Sequence, residues 1–249
     1  MVTRNIRLAL FISGGGSTMQ AILWACKDGT LKGIDPVLVI ASKPNAKGIA
    51  KAQEILGDER VVVVDKKRCE SDTDFGAQLL AQCRMRGVDW IGQYGWLPHT
   101  PDNVINAYAG RIINQHPGPL MGDGSPYHFG GKGLYGLRVH HARLRFVLRT
   151  GRDFWTKAVT HYVVPGDGYD HGKLIHEIQI PIHIGDTAET LQERVLPLEH
   201  QCQIEALQKI AASNGLPPTF QHYDPLVRPE EVPIFHDVLR ETEEYFRKK

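Results

Sequence analysis

The feature that most restricts this chain is an apolar run, Arg7 to Ser13, closed by three successive glycines, Gly14, Gly15 and Gly16. From Ser17 to Asp28 the apolar residues Met19, Ile22, Leu23 and Cys26 then recur at helical spacing. Strand, tight turn and helix in that order commit the N-terminal region to an α/β unit. The alternation repeats as strand Pro36 to Ser42, helix Ala46 to Leu56, strand Arg60 to Asp65, helix Thr73 to Arg86 and strand Val88 to Tyr94. A short helix near Asp102 to Tyr108 leads to strand Arg111 to Gln115. Continuous Val and Ile runs separated by helices predict a doubly wound, Rossmann-like α/β fold, with a mostly parallel sheet covered on both faces.

Beyond Gln115 the texture changes. Pro117 to Gly136 holds seven glycines and three prolines, so it reads as a long loop of the kind that covers a site. A helix follows from Leu134 to Gly151, with Leu134, Leu137, Leu144 and Leu148 on one stripe. Thr156 to Val164 and Lys173 to Ile182 alternate like antiparallel strands around the turn Pro165-Gly166-Asp167-Gly168, which makes the C-terminal part of the sheet mixed. Asp186 to Asn214 reads as a long helix capped by Asp186 or Thr187. The tail from Leu216 carries five prolines and no clear pattern. The expected division is a domain over 1–215 and a C-terminal extension over 216–249.

Charge and composition exclude several functions. With 29 basic and 28 acidic side chains, nothing in the bulk charge favours nucleic acid or an anionic membrane. No apolar run approaches the ~20 residues of a transmembrane helix, and the N-terminus lacks the form of a secretory signal. Cys26, Cys69, Cys83 and Cys202 are scattered without CxxC pairing, which suggests neither a disulfide framework nor a zinc site. A soluble protein of a reducing cytoplasm is expected.

Two constellations carry chemistry. The turn Ser13 to Ser17 would aim backbone N–H groups and a helix N-terminus at one spot, which suits a phosphate. It lacks the Gly-Lys-Ser/Thr of a Walker loop, and the second strand ends Ala41-Ser42-Lys43 without the acidic residue that holds a dinucleotide ribose. A phosphate monoester fits better; the plain alternative is that the glycines serve only close packing. Asn114 and His116 alternate at a strand end, so both leave the same face. There an amide can stabilise an oxyanion while an imidazole polarises it or moves a proton, and Asp170 could orient that imidazole. On spacing alone, a structural strand-end histidine remains the alternative.

Four blocks give the chain a family resemblance. They are Ile12-Ser13-Gly14-Gly15-Gly16-Ser17-Thr18-Met19-Gln20; Ala109-Gly110-Arg111-Ile112-Ile113-Asn114-Gln115-His116-Pro117; Tyr169-Asp170-His171-Gly172; and Gly185 to Leu191 continuing through Val195 to Glu199-His200. Collinear from about Arg7 to Pro218, the chain resembles the folate-dependent formyltransferases, and within them the branch that serves purine biosynthesis. The resemblance implies the formyltransferase fold over 1–215 and transfer of a formyl group from 10-formyltetrahydrofolate, the co-substrate, to the amine of glycinamide ribonucleotide. It places Asn114, His116 and Asp170 at catalytic positions. It also places Gly15, Gly16, Ser17 and Thr18 at the substrate phosphate, Glu199 at its ribose, Gly95, Trp96 and Leu97 at the folate, and His161 near the active site. No metal is implied. The expected partners are small-molecule substrates, with neither membrane nor nucleic acid, for a monomer or homodimer. Two alternatives stand beside this reading: a formyltransferase for another amine, such as a nucleotide-linked amino sugar, and a non-catalytic folate or nucleotide sensor.

The chain also departs from the family pattern. Gly118-Pro119-Leu120-Met121 opens an enlarged loop through His128 and Lys132 where relatives continue Ser-Leu-Leu-Pro. Pro98 stands where an arginine is usual, and Gly15 and Thr18 replace common asparagines. Arg138, Arg145, Arg149 and Arg152 form a basic stripe, read as a solvated helix face in preference to a site for polyglutamate, RNA or a partner subunit. The adjacent His140 and His141 diverge on a helix and do not suggest a metal site. Trp24, Trp90 and Trp155 read as core, and Trp96 as the tryptophan of the ligand crevice.

Overall fold

The computed structural model describes residues 4–166 and 169–248. Asp167 and Gly168 of the expected turn lie outside the described residues. The chain divides into two compact units, the first formed by Met1–Gln115, Tyr162–Gly166 and Gln203–Pro218, the second by His116–His161, Asp167–Cys202 and Thr219–Lys249.

The first unit holds β1 (Ile6–Ile12), α1 (Ser17–Lys27), β2 (Ile34–Ala41), α2 (Gly48–Leu56), β3 (Val61–Val63), α3 (Asp72–Met85), β4 (Trp90–Gln93), α4 (Asp102–Ala107) and most of β5 (Ile112–His116). Its strands are parallel in the order β3-β2-β1-β4-β5. Leu8 to Ile12 are wholly buried, as expected of a parallel strand covered on both faces. Phe11, Leu38, Ile40, Phe75, Leu79, Ile91 and Ile112 share one core cluster. Pro36 falls beside a register shift between Leu8 and Ala9, where a residue without an N–H costs the ladder least. The third strand is shorter than its apolar run suggests.

The second unit holds α5 (Leu137–Thr150), β6 (Trp155–Tyr162, whose last residue belongs to the first unit) and β7 (Leu174–Pro181). It also holds the start of α6 (Ala188–Ala212) and α7 (Val232–Arg247). β6 and β7 pair antiparallel, Ala158 opposite Ile178, so the seven strands together are mixed. Thr187 caps α6, its Oγ1 accepting from the Thr190 N–H at 3.2 Å.

Four expectations need correction. The tail is patterned: α7 spans sixteen residues and buries Phe235 and Val238 with Phe129, Val139, Ala142 and Phe146. The basic stripe of α5 is not simply solvated. The Arg138 guanidinium lies 5.4 Å from the Phe246 ring, and Arg149 Nη2 is 2.5 Å from Glu241 Oε1. Arg152 Nε lies 2.5 Å from Glu231 Oε1, while Arg145 is exposed. The leucine stripe is displaced as well, since Leu148 is 48% exposed while Val139, Ala142 and Phe146 are buried. Finally, Trp24 is surface rather than core, 43% exposed with Lys27 Nζ 4.7 Å from its ring.

Candidate active site

His116 is the last residue of β5, and Pro117 ends the strand by withholding an N–H. Only 3% of it is exposed. Its Nε2 lies 2.6 Å from the Phe129 carbonyl oxygen, and its Nδ1 lies 3.5 Å from Asp170 Oδ2. A carbonyl can only accept, so Nε2 carries a proton in this contact, while Nδ1 faces the acceptor Asp170 at the longer distance. Burial pushes the imidazole below its ordinary pKa, while Asp170 and the Phe129 carbonyl pull the other way.

Asp170 occupies left-handed backbone, φ 61°, a region where Asp is commoner than most non-glycine residues. There its Oδ2 accepts from the Gly131 N–H at 2.9 Å, and its Oδ1 lies 3.3 Å from His161 Nε2. Burial by itself would raise this carboxyl. The neighbouring His116 and His161 and the Gly131 N–H override that and hold it well below the usual carboxylate range. Gly130 makes the approach possible, because a Cβ there would sit 2.9 Å from Asp170 Oδ2 and 2.7 Å from Leu120 Cδ2.

Asn114, half-buried, stands two positions before His116 and so leaves the same face of β5. His161 is buried on β6, and Glu199 is buried on α6 at 4% exposure. Sequence reasoning missed His128, which the enlarged loop contributes. It is buried with Nδ1 unpartnered, and its ring is 5.3 Å from that of His171. Burial, then the charge of His116, pushes it down to about 4. The Phe129 carbonyl and the Gly131 N–H were also missed; backbone groups leave no side-chain signature, and only the tandem glycines hinted at a close approach.

The first unit builds a separate constellation at the β1–α1 turn. Gly16 is the N-cap of α1 with φ 64° and no capping side chain. A Cβ there would meet the Gly48 Cα at 2.9 Å and Met19 Cε at 2.8 Å. Gly14 and Gly15 are exposed with open space beside them, and Ser17 and Thr18 begin the helix. The turn therefore has the backbone donors and the helix end that favour an anion. Ser13 ties this turn to the segment after β4: its Oγ accepts from the Ser42 hydroxyl at 2.7 Å and the Leu97 N–H at 2.9 Å, and its N–H donates to the Gly95 carbonyl at 3.1 Å. Within that segment Gly95 and Leu97 are exposed. Trp96 instead turns into the core, stacked on Phe75 at 6.1 Å and tilted against Phe11 at 4.9 Å. Among the described residues no three His, Cys, Asp or Glu side chains group as metal ligands.

The buried imidazole–carboxylate pair at a strand end, on a doubly wound α/β fold, is an arrangement that can hold and move a proton. The formyl transferase family profile matches residues 6–207, and the chain belongs to that family. It is 34% identical over 207 residues to the chloroplastic phosphoribosylglycinamide formyltransferase of Arabidopsis thaliana, a match that covers 83% of this chain and 66% of the relative. The phosphoribosylglycinamide formyltransferase of Bacillus subtilis is 26% identical over 209 residues, covering 84% and 96% of the two chains. The crystal structure of the phosphoribosylglycinamide formyltransferase of Brucella melitensis superposes with a TM-score of 0.70 at 30% identity, covering 87% of this chain and all of the other. The chain thus spans just under two-thirds of the length of the Arabidopsis relative and 62% of a similar Vigna unguiculata protein.

Proposed function

We propose that this formyltransferase moves the formyl group of 10-formyltetrahydrofolate to the amine of glycinamide ribonucleotide, a step of purine biosynthesis. The observation that carries the proposal is the buried His116–Asp170 pair, in a chain of this family whose named relatives act on that ribonucleotide. The β1–α1 turn, through Gly15, Gly16, Ser17 and Thr18, holds the substrate phosphate, and Glu199 accepts from its ribose hydroxyls. Gly95 and Leu97 contact the folate through backbone groups and the leucine side chain, and Trp96 supports the segment from beneath.

The neutral amine attacks the formyl carbon, and the negative charge of the tetrahedral intermediate falls on the former carbonyl oxygen. Asn114 donates its amide N–H to that oxygen. The Nε2–H of His116, held by the Phe129 carbonyl in the ligand-free protein, transfers its hydrogen bond to the same oxygen. Asp170, fixed by His161, stabilises the positive charge drawn onto the imidazole as the oxyanion forms, and it positions a water that takes the amine's proton. Collapse expels tetrahydrofolate, whose nitrogen receives that proton, so no proton is gained or lost. The four free thiols suit a reducing compartment, and we place the enzyme in the cytoplasm; the chloroplastic relatives make a plastid the competing location.

The test is to mix the protein with 10-formyltetrahydrofolate and a panel of amines and to follow release of tetrahydrofolate. Release with glycinamide ribonucleotide alone is the expected result. Release with an amino sugar nucleotide instead, or folate binding without release, overturns the assignment.

A further inference from the structure

We propose that Arg143 is a positioning residue for His116, acting through the ring of Phe129. The inference rests on the reading above only in treating His116 as catalytic.

Arg143 lies on α5 with no exposed surface. Burying a guanidinium is costly unless it is fully partnered, yet among the described residues no carboxylate hydrogen-bonds to this one. Its Nε donates to the Trp155 carbonyl at 2.9 Å and its Nη2 to the Asp153 carbonyl at 2.8 Å, while Nη1 is buried without a partner. Two aromatic rings lie beside it, and the charges of Arg152 and Glu231 act on it from further off. The guanidinium carbon is 4.9 Å from the Phe129 ring centroid and 4.7 Å from that of Trp155, within cation–π reach of both. Burial lowers its pKa to about 9, which leaves it charged at neutral pH.

An apolar side chain of similar volume would fill this space without the desolvation cost. What the arginine adds is direction. Its planar fork, fixed by two carbonyls of one short segment, has little freedom to turn and so fixes where the Phe129 ring can sit. Phe129 lies in the enlarged loop, followed by Gly130 and Gly131, which have no side chains to anchor it. The ring also meets Phe146 at 5.3 Å and Phe235 at 5.5 Å. Its own backbone is held at both ends, the N–H by the Pro119 carbonyl at 3.1 Å and the carbonyl against His116 Nε2 at 2.6 Å. Ring and carbonyl share one Cα, so repacking of the ring strains the backbone, and a carbonyl shift on the order of 1 Å takes that contact outside hydrogen-bond range. Arg143 thereby holds the carbonyl that keeps a proton on His116 Nε2 and sets the direction of the imidazole ring.

Two readouts test this. In substrate-free ¹⁵N-labelled protein, the Nε2–H resonance of His116, assigned by its loss in His116→Gln, should be protected and downfield. In Arg143→Met it should move upfield and exchange faster. With substrates, kcat should fall by roughly 10- to 100-fold while both KM values change by less than about threefold. Phe129→Leu keeps the carbonyl and removes the ring, so it should reproduce both effects, and the double variant should be no worse than the worse single one. Should Arg143→Met fail to fold, Phe129→Leu carries the test. A folded variant with the native His116 resonance and native kcat overturns the proposal, as does a loss of thermal stability with both readouts unmoved. The resonance is read without substrate, so a different acceptor amine would leave this result intact.

Discussion

At the residue scale, the site depends on groups whose contributions differ in kind. In the proposed mechanism Asn114 is an oxyanion donor, whose contribution matters only once charge develops. Asn114→Ala should therefore cut kcat by about 100-fold or more, the effect of losing one such donor, with little change in the apparent affinity for either substrate. Steady-state kinetics check this, and a near-normal rate would remove the amide from the mechanism. Asp170→Asn keeps the shape and tolerates the same backbone, but it takes away the charge opposite His116. Burial is then opposed only by the Phe129 carbonyl, and the imidazole pKa should fall further below the ordinary value. An NMR titration of His116 in that variant should show this drop, and an unchanged or raised titration would mean that Asp170 does not govern the ring. The approach of Asp170 to His116 was legible as a candidate, His116 from its place at a strand end and Asp170 from the turn that precedes the last strand. The direction of Trp96 was not, since residue type does not say which way a ring turns beyond a strand end. The Phe129 carbonyl and Arg143 were illegible for related reasons: one is backbone, and the other is an ordinary charged residue until its burial is seen.

At the element scale, the residues after Pro218 belong with the enlarged loop and not apart from it. Leu174 and Phe220 exchange two backbone hydrogen bonds at 2.9 Å each, and the His222 N–H reaches the Met121 carbonyl at 2.8 Å. The following helix, α7, then lays Phe235 edge-on to Phe129 within the cluster that also includes Phe146 and Val139. Prolines obscure this helix in the sequence, since in a helix interior they would break it. Pro229 and Pro233 instead sit in the first turns of a short 3₁₀ segment and of α7, where a missing N–H costs nothing. The spacing of Val232, Phe235, Val238, Leu239 and Thr242 was the available signal. Phe235→Ala should lower unfolding stability by about 3–5 kcal/mol and reduce turnover as well, since it loosens the packing of Phe129. Urea denaturation and assay of the folded protein check both, with the exposed Tyr223→Ala (85% exposed) as a silent control. A neutral Phe235→Ala would mean that the extension is an appendage after all.

At the scale of the whole molecule, the alternation of apolar runs and helices made the fold class readable, because a parallel sheet covered on both faces leaves a repeated signature. The acid limit of its stability was not readable, because it depends on which histidines are buried without charge partners. His140 is wholly buried on α5 with neither ring nitrogen hydrogen-bonded, and burial, followed by the charge of His116, lowers its pKa from 6.5 to about 4. His128 is lowered to about 4 as well. In the unfolded chain these rings take up protons near pH 6.5, while in the folded protein they resist until about pH 4. Between those values the unfolded state binds more protons, so folding stability must fall as the pH falls through the window. Asp170 does not offset this. Its carboxyl is depressed, so its contribution is present above the ordinary carboxylate range and is lost only below it. For His140 alone the loss between pH 7.5 and pH 5 should be about 2 kcal/mol, at 1.36 kcal/mol per pKa unit. His140→Leu removes the titration and breaks no hydrogen bond, so its stability should decline less over that interval, by about that amount. Chemical denaturation of both proteins at the two pH values measures the difference, and parallel declines would show that His140 is not held neutral in the fold.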